Sequence, residues 1–308
     1  MENTLVKVEN LSHKYSLQWA IKDINITIDS KGVYGLLGSN GAGKSTTLNI
    51  MSGVLNQTKG DVFIKGISMS ENPIEAKKQL GFMPQTPPLY LDTTVGEFIT
   101  NCARLRKIPS KEVKRSVDEV LEKCAISHFR NRLIRNLSGG YRQRVNLAQA
   151  IIHKPSFVIL DEPTNGLDPN QILEIRKLIK EIAEEHAVLL STHMLGEVQA
   201  ICDNILMIEQ GKMVFSGKME DFDNYLAPNS VFVRLLERPS VDELMEINGV
   251  ENVEELGGAD YRLMISQLNG ATQRIVQESV KRNWNLDEIR VEKVSLNDVF
   301  SELSKYKS

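Results

Sequence analysis

The sequence predicts an α/β fold followed by a small α+β domain. Over the first part of the chain, short apolar runs of strand length alternate with helical patterns, as in a parallel sheet covered by helices. One glycine-rich turn, GSNGAGKS at 38–45, joins a predicted strand to a predicted helix. Beyond residue 228 the order of the predicted strands and helices changes. These observations predict a larger domain over 1–228 and an accessory domain over 229–308.

The individual elements follow from the spacing of apolar residues. Alternating or continuous apolar runs predict strands at 5–11, 24–28, 32–37, 61–65, 157–160 and 187–191. Apolar residues that recur on one face predict helices at 44–51, around 113–124, over 145–152 and around 172–182. Thr94 and Glu97 form a capping-box pattern that begins a further helix. The stretch over about 86–150 is therefore expected to form a helical subdomain.

The C-terminal part predicts a ferredoxin-like domain. LAPNS at 226–230 has the composition of a linker. After it come predicted strands at 231–236, 251–256, 261–265 and 288–294, with helices near 240–247 and 270–283. Their order is βαββαβ, which is the order of split βαβ domains.

Composition argues against several classes of protein. The 308 residues are 41 % apolar and 25 % charged, which predicts a globular chain with a substantial core. A net charge of −3 argues against nucleic acid as a partner. The three cysteines have neither disulfide nor zinc spacing, which favours a reducing cytosol. The sequence shows no signal peptide and no run long enough to span a membrane, so any spans are expected on another chain.

The strongest chemical signal is the turn at 38–45, which fits the phosphate-loop pattern GxxxxGK[ST] in its strand–loop–helix context. Glycines let backbone N–H groups wrap phosphates without Cβ clashes. Lys44 supplies a positive charge to the β- and γ-phosphates, and Ser45 offers a hydroxyl to Mg²⁺. The pattern predicts a nucleotide-binding site.

FVILDEP at 157–163 supplies acidic groups to that site. Asp161 ends a buried strand, where it can hold Mg²⁺ through water, and Glu162 can orient or deprotonate an attacking water. On its own the pair is better explained as an ordinary solvated strand end. Beside a phosphate loop the catalytic interpretation is favoured, because Mg·ATP needs a carboxylate at a neighbouring strand end.

Three single residues and one short motif are open to two interpretations each. Gln85 could reach a metal or water, or be a loop glutamine. His193 follows a strand at the ligand-binding edge of a sheet, or is a surface histidine. Tyr15 could stack on adenine, or pack under the first strands. LSGG at 137–140 is either an anion cradle at a helix start or a capped helix with a flexible entry.

The ordered set of motifs resembles the nucleotide-binding subunit of ABC transporters over roughly residues 3–225. The resemblance is carried by GSNGAGKST, PQ at 84–85, LSGG at 137–140, ILDEP at 159–163, GLDP at 166–169 and STH at 191–193. It implies a P-loop NTPase core of ABC ATPase type with an antiparallel β subdomain and a helical subdomain. It also implies ATP hydrolysis, with ATP and Mg²⁺ as cofactors.

The resemblance gives each matched residue an expected role. ATP would be bound by Tyr15 as the adenine platform and by Gly38, Ser39, Asn40, Gly41, Ala42, Gly43, Lys44, Ser45 and Thr46. The ligands of Mg²⁺ would include Ser45, Gln85 and Asp161. The expected catalytic residues are Glu162 as general base, His193 as γ-phosphate sensor, Lys44, and Gln85, which would also couple the site to the membrane partner.

In this family two ATPase subunits pair head to tail, and each LSGG loop closes over the ATP held by the other subunit. Ser138, Gly139 and Gly140 would therefore act in trans, as would Asp168 in the loop that links the two sites. The partner is expected to be a second copy or a homologous ATPase. Tyr141 departs from the family pattern, which commonly has glutamine after LSGG.

The C-terminal part resembles that of one branch of this family. The βαββαβ order and SLNDVFSEL at 295–303 resemble export-type ATPases of the daunorubicin-resistance and gliding-motility kind. These work with a separate integral membrane permease, which implies a cytoplasmic protein held peripherally on the inner face of the cell membrane. The alternative is a soluble or scaffold-type ABC ATPase that acts as an ATP-dependent switch without transport.

The stretch from Arg104 to Arg135 has ten basic and four acidic residues. In this family the region faces the membrane subunit, so the charge could meet acidic groups on the partner or anionic lipid headgroups. A solvated helical face is the favoured interpretation.

Overall fold

The computed structural model describes residues 4–86, 88–223, 230–266 and 269–292. Contacts between Cα atoms divide the chain into two compact units, Met1–Met219 and Glu220–Ser308. The linker predicted at 226–230, apart from Ser230, and the motif at 295–303 lie outside the described residues. The domain boundary between 228 and 229 falls in the same gap, so it stays a prediction.

The first unit contains strands from two sheets and helices around them. Its strands are β1 (Val6–Tyr15), β2 (Gln18–Ile28), β3 (Gly32–Leu37), β4 (Lys59–Ile64), β5 (Ile67–Ser68), β6 (Leu80–Met83), β7 (Phe157–Asp161), β8 (Ala187–Thr192), β9 (Asn204–Glu209) and β10 (Lys212–Lys218). Its helices are α1 (Lys44–Met51), α2 (Pro73–Lys78), α3 (Val95–Leu105), α4 (Ser110–Lys123), α5 (Gly139–Ile151), α6 (Pro169–Ala183) and α7 (Leu195–Ile201). A short helix, α8 (Met219–Asp223), follows β10.

A six-stranded sheet in the order β10-β9-β3-β8-β7-β6 forms the centre of this unit. Its strands pair in parallel except β9 and β10, which are antiparallel. Every residue of β7 and β8 is buried, as their unbroken apolar runs predict for strands covered on both faces. The carboxyl ends of β3, β7 and β8 meet at one edge, where Leu37 lies opposite Thr192, and Asp161 opposite Ser191.

A second, antiparallel sheet in the order β2-β1-β4-β5 packs part of the same core. Alternate residues such as Val6 and Val8 are buried, which follows from the period of two along a strand. β1 and β2 extend beyond the predicted strands because the polar residues near the hairpin continue the ladder, with Tyr15 paired to Gln18. The two sheets confirm the predicted core and antiparallel β subdomain.

The predicted helical stretch contains α3, α4 and α5. The capping box that begins α3 is present, because Thr94 Oγ1 accepts from Glu97 N at 3.2 Å and Glu97 accepts from Thr94 N at 2.8 Å. Val113, Val117 and Leu121 bury one face of α4, as their spacing predicts. No helix in the described part of the chain is long and apolar enough to cross a membrane.

The second unit contains β11 (Ser230–Leu235), α9 (Val241–Met245), β12 (Val250–Gly257), β13 (Asp260–Ile265), α10 (Ala271–Lys281) and β14 (Leu286–Glu292). The strands form an antiparallel sheet in the order β12-β13-β11-β14. One apolar cluster, which includes Val231, Leu263, Ile275 and Trp284, forms its core. The topology confirms the predicted ferredoxin-like βαββαβ fold.

Candidate active site

The glycine-rich loop at 38–45 joins β3 to α1 at the carboxyl edge of the central sheet. Gly43 has a φ of 109°, and a Cβ there would lie 2.6 Å from Cγ2 of Ile21. A Cβ on Gly38 would overlap the carbonyl oxygen of Ile208. Both positions therefore require glycine, and the loop keeps its tight path at the start of α1. Asn40, Gly41 and Ser45 are exposed, Ala42 is buried, and Thr46 is half-buried.

Lys44 is the buried cation of this loop, with 7 % of its surface exposed. Its Nζ donates to the carbonyl oxygens of Gly38 at 2.8 Å and Ser39 at 3.0 Å. Burial lowers the pKa of the Lys44 ammonium, while the nearby charges of Glu162 and Asp161 raise that pKa. The Lys44 ammonium therefore lies within the phosphate loop and close to Asp161 and Glu162, the two acids of ILDEP.

Asp161 ends β7 and is 5 % exposed. Its Oδ1 accepts a hydrogen bond from Ser191 Oγ at 2.6 Å. Burial raises the pKa of the Asp161 carboxyl, although the bond from Ser191 and the charge of Lys44 lower it. A cation placed beside this carboxyl would favour its ionised form. No group of three or more His, Cys, Asp or Glu side chains within the described residues could hold a metal.

Glu162 follows Asp161 with a φ of 51°, in the left-handed region that residues other than glycine rarely occupy. Its N–H donates to the Ser191 carbonyl at 3.1 Å. Nδ1 of His193 donates to its carboxylate, at 2.9 and 3.1 Å from the two oxygens. The strand ends thus hold Glu162 and His193 together.

Tyr15 and Gln85 make no hydrogen bond to Lys44, Asp161, Glu162 or His193 within the described part of the chain. Tyr15 ends β1 with 53 % of its surface exposed, and its ring meets His13 edge to face at 4.7 Å between centroids. Gln85 is exposed in the loop that follows β6. The exposure of Tyr15 favours a stacking surface over the alternative of an aromatic that packs under the strands.

The LSGG loop leads into α5, which begins at Gly139. Ser138 caps the helix with its backbone in the β region and makes no capping hydrogen bond with its side chain. Ser138 and Gly139 are exposed, while Gly140 is buried. A Cβ on Gly140 would lie 2.9 Å from the Gln171 side chain, so α5 and α6 approach closely here. Hydrogen bonds found among the described residues do not connect this loop to the P-loop.

Tyr141, the departure from the family pattern, packs into a small aromatic group. Its ring meets Phe129 edge to face at 4.5 Å and His128 at 6.0 Å between centroids. The tyrosine is therefore accommodated by packing of α5 against the short helical turn at 127–129.

Asp168 has a structural contact of its own. It is the N-cap of α6, and its Oδ1 accepts from the N–H groups of Asn170 and Gln171, both at 3.0 Å. The residue is exposed. Capping by Asp168 fixes the start of α6, which places Gln171 beside Gly140.

Three acceptor or donor residues of the site were not singled out by the sequence analysis. Ser191 holds Asp161, Glu209 accepts from Ser39 N at 3.2 Å and Ser39 Oγ at 2.5 Å, and Glu197 binds two threonines. Glu209 could have been recognised from the sequence as a candidate site residue, because it ends an apolar strand as Asp161 does. Nothing in the sequence distinguished Glu197, because an acid within a helical segment is normally solvated.

The basic stretch is partly paired within the chain. Arg130 forms an ion pair with Asp118, and Arg135 Nη1 lies 3.0 Å from Asp92 Oδ1. Both pairs are largely exposed, so each contributes little to stability. These contacts favour the interpretation of the basic stretch as a solvated helical face over a surface that binds acidic groups of a partner or of lipid.

Comparisons with known proteins agree on one family. The sequence profile described as "ABC transporter" matches residues 21–165. The uncharacterized ABC transporter ATP-binding protein YhcH of Bacillus subtilis is 31 % identical, over 98 % of this chain and 96 % of its own length. The linearmycin resistance ATP-binding protein LnrL of Bacillus subtilis is 28 % identical, over 97 % of this chain and 98 % of its own.

A solved structure shows the same fold. CbiO1 from Clostridium perfringens, which is part of the ABC transporter complex cbiONQ, superposes with a TM-score of 0.66 at 31 % identity. The superposition covers 73 % of this chain and 92 % of cbiO1.

Proposed function

This chain belongs to the ABC transporter ATP-binding proteins, and from that premise we propose that it is the motor subunit of an exporter. The chain is an ATP-binding, ATP-hydrolysing subunit of an ABC transporter. The proposal adds that two such subunits close head to tail around two ATP molecules and drive a separate membrane permease. The observation that carries the catalytic part is the contact of Glu162 with His193 at the sheet edge that holds Lys44.

The phosphate loop would bind ATP. Backbone N–H groups of 38–46 would surround the phosphates, and Lys44 would transfer its hydrogen bonds from the loop carbonyls to phosphate oxygens. Ser45, Asp161 and Gln85 fit Mg²⁺, because oxygen ligands and a single carboxylate suit an ion that also binds substrate phosphates. When bound, Mg²⁺ would neutralise charge on the phosphates.

Glu162 would act as the general base. Its carboxylate is largely buried and is oriented by His193, so it can accept the proton of a water that attacks the γ-phosphate. His193 would orient Glu162 through Nδ1–H, and its Nε2 would contact the γ-phosphate, donating a hydrogen bond to it when that nitrogen is protonated. Orientation of water and base is the main task in phosphoryl transfer, because the protein forms no covalent bond.

The LSGG loop would complete the site of the partner subunit. Ser138 and Gly139 are exposed at the start of a 13-residue helix, where unpaired N–H groups favour an anion. Asp168 would support this loop from α6, since Gln171 lies against Gly140. ATP would then join the two subunits, and loss of the γ-phosphate would release them.

The membrane-associated part of the proposal rests on relatives and on the second unit. CbiO1 is part of a transporter complex, and LnrL is a resistance protein, which suits removal of a compound from the cell. We place this chain in the cytoplasm, at the inner face of the cell membrane through its permease. The ferredoxin-like unit would serve as an accessory domain, and nucleic acid is not a partner.

The permease can be tested directly. We expect a tagged chain, pulled from gently solubilised native membranes, to bring down a multispanning protein in stoichiometric amount. Mass spectrometry identifies that protein, and the untagged strain is the control. Recovery of soluble assemblies alone would contradict the motor function and favour the soluble or scaffold-type ATPase.

The adenine platform predicts a selective effect on ATP binding. We expect Tyr15→Ala to raise the KM for ATP about 5- to 100-fold, because base–aromatic stacking contributes about 1–3 kcal/mol. Tyr15→Trp should stay close to wild type. Leu17→Ala is the control, since Leu17 is 94 % exposed in the same hairpin. An unchanged KM in Tyr15→Ala would contradict the platform.

A further inference from the structure

Glu197 is a buried acid close to the site to which the family motifs give no role. It lies in the first turn of α7 with 1 % of its surface exposed. Thr164 Oγ1 donates to one carboxylate oxygen, and Thr192 Oγ1 donates to the other at 2.7 Å. The carboxylate therefore bridges two segments that are far apart in sequence.

Both threonines belong to segments that carry proposed catalytic residues. Thr192 ends β8 and immediately precedes His193. Thr164 lies between Glu162 and the α6 cap Asp168. The two hydrogen bonds to Glu197 thus connect the end of β8, next to His193, to the loop that follows Glu162.

The last two residues of β8 and the residue that follows it each donate a hydrogen bond to one acid. Ser191 donates to Asp161, Thr192 to Glu197, and His193 to Glu162. Successive side chains of a strand point to opposite faces. Ser191 and Thr192 therefore contact Asp161 and Glu197 from opposite sides of the strand end, and His193, the first residue beyond the strand, contacts Glu162.

Arg176 extends the bridge to α6. Its Nη2 lies 3.9 Å from Glu197 Oε1, and the Arg176 side chain is 20 % exposed. Since hydrogen bonds to a buried charged acceptor are stronger than neutral ones, one carboxylate here orders two loops, and Arg176 adds a charge attraction at a distance too long for a hydrogen bond. Replacing the carboxylate would leave two buried hydroxyls without their shared acceptor.

We propose that Glu197 is a positioning residue for ATP hydrolysis, which sets the relative placement of Glu162 and His193 without touching ATP. This inference rests on the catalytic roles proposed for those two residues. Small displacements of an oriented base lower the rate of chemistry strongly while substrate binding persists. The P-loop makes no contact with the bridge among the described hydrogen bonds, so ATP affinity should be spared.

The test compares kcat with KM in the full-length chain. We expect Glu197→Ala to lower kcat for ATP hydrolysis about 10- to 100-fold, with KM and the Kd of a non-hydrolysable ATP analogue within about threefold of wild type. Glu197→Gln should lose less, because an amide oxygen still accepts one hydroxyl. Gln199→Ala, on the exposed face of the same helix, is the matched control and should retain wild-type kcat.

Thr192→Val and Thr164→Val provide an independent set of variants that keep side-chain shape. Each should lower kcat with little change in KM. Thr164→Val should not lower kcat further in the Glu197→Ala background, because both residues act through one bridge. Thr192→Val also removes the acceptor of the Met194 N–H, so the additivity test uses Thr164→Val. These variants decide the question if Glu197→Ala fails to fold. Additive losses, or wild-type kcat in both valine variants, would overturn the positioning role.

Glu162→Gln separates this inference from the proposed function. A large loss of kcat in Glu162→Gln with wild-type kcat in Glu197→Ala would overturn the positioning role alone. Wild-type kcat in Glu162→Gln would overturn the catalytic assignment on which it depends. Equal falls in kcat and analogue affinity, with a lowered melting temperature, would show that Glu197 only supports the fold.

Discussion

Replacing Glu162 with glutamine is expected to lower ATP turnover by about 100- to 10,000-fold, which is the usual contribution of a general base. Glutamine keeps the shape of the side chain and an oxygen that can accept from His193 Nδ1, so the change removes mainly the basic group. ATP binding should persist, because Lys44 and the phosphate loop are unaltered. Steady-state hydrolysis and binding of labelled ATP measure the two effects separately.

The same variant tests the head-to-tail dimer. A subunit that binds Mg·ATP but cannot hydrolyse it should accumulate as a dimer, visible by size-exclusion chromatography with light scattering. Glu184→Gln, a change of the same kind at an exposed position, is the control and should turn over normally. A Glu162→Gln protein that stays monomeric at millimolar ATP would count against a site shared between two subunits, or would make the permease necessary for closure.

Lys44→Ala is expected to weaken ATP binding itself by about 10- to 100-fold, because a hydrogen bond to a charged group contributes about 1.5–3 kcal/mol. The Lys44 ammonium is held within the loop by the carbonyl oxygens of Gly38 and Ser39, beside the acids at the strand ends. Isothermal titration with ATP measures the affinity. The melting temperature without nucleotide shows whether the loop has also lost stability.

Lys31→Ala is the matched control for this change. Lys31 is exposed and precedes the amino end of β3, whereas the P-loop follows its carboxyl end. This variant should bind ATP as wild type does. Near-wild-type affinity in Lys44→Ala would be incompatible with the role assigned to the loop cation.

The features that the sequence predicted correctly are those set by near neighbours along the chain. The strand, loop and helix around 32–51 and the capping box of Thr94 and Glu97 depend on residues within a few positions of one another. The order βαββαβ likewise follows from local periodicity. Hydrogen-bond geometry and side-chain period act over that range, so the pattern of residue types is sufficient.

The contacts that complete the candidate site are long-range ones. Ser39 and Glu209 lie 170 positions apart, and Thr164 and Glu197 lie 33 apart. The place of Tyr141 depends on Phe129, which approaches only when the turn at 127–129 folds against α5. No local period marks such pairs, because they form only when separate elements pack together.

The sequence by itself determined the elements of this protein, its phosphate loop and the family motifs that assign it to ATP hydrolysis. Tertiary structure alone decided the order of strands in the three sheets, the left-handed backbone that turns Glu162 toward His193, and the burial of Glu197. The reason is physical: local propensity selects a helix or strand, but the partner of a buried polar group is chosen by packing, where an unpaired acceptor is costly.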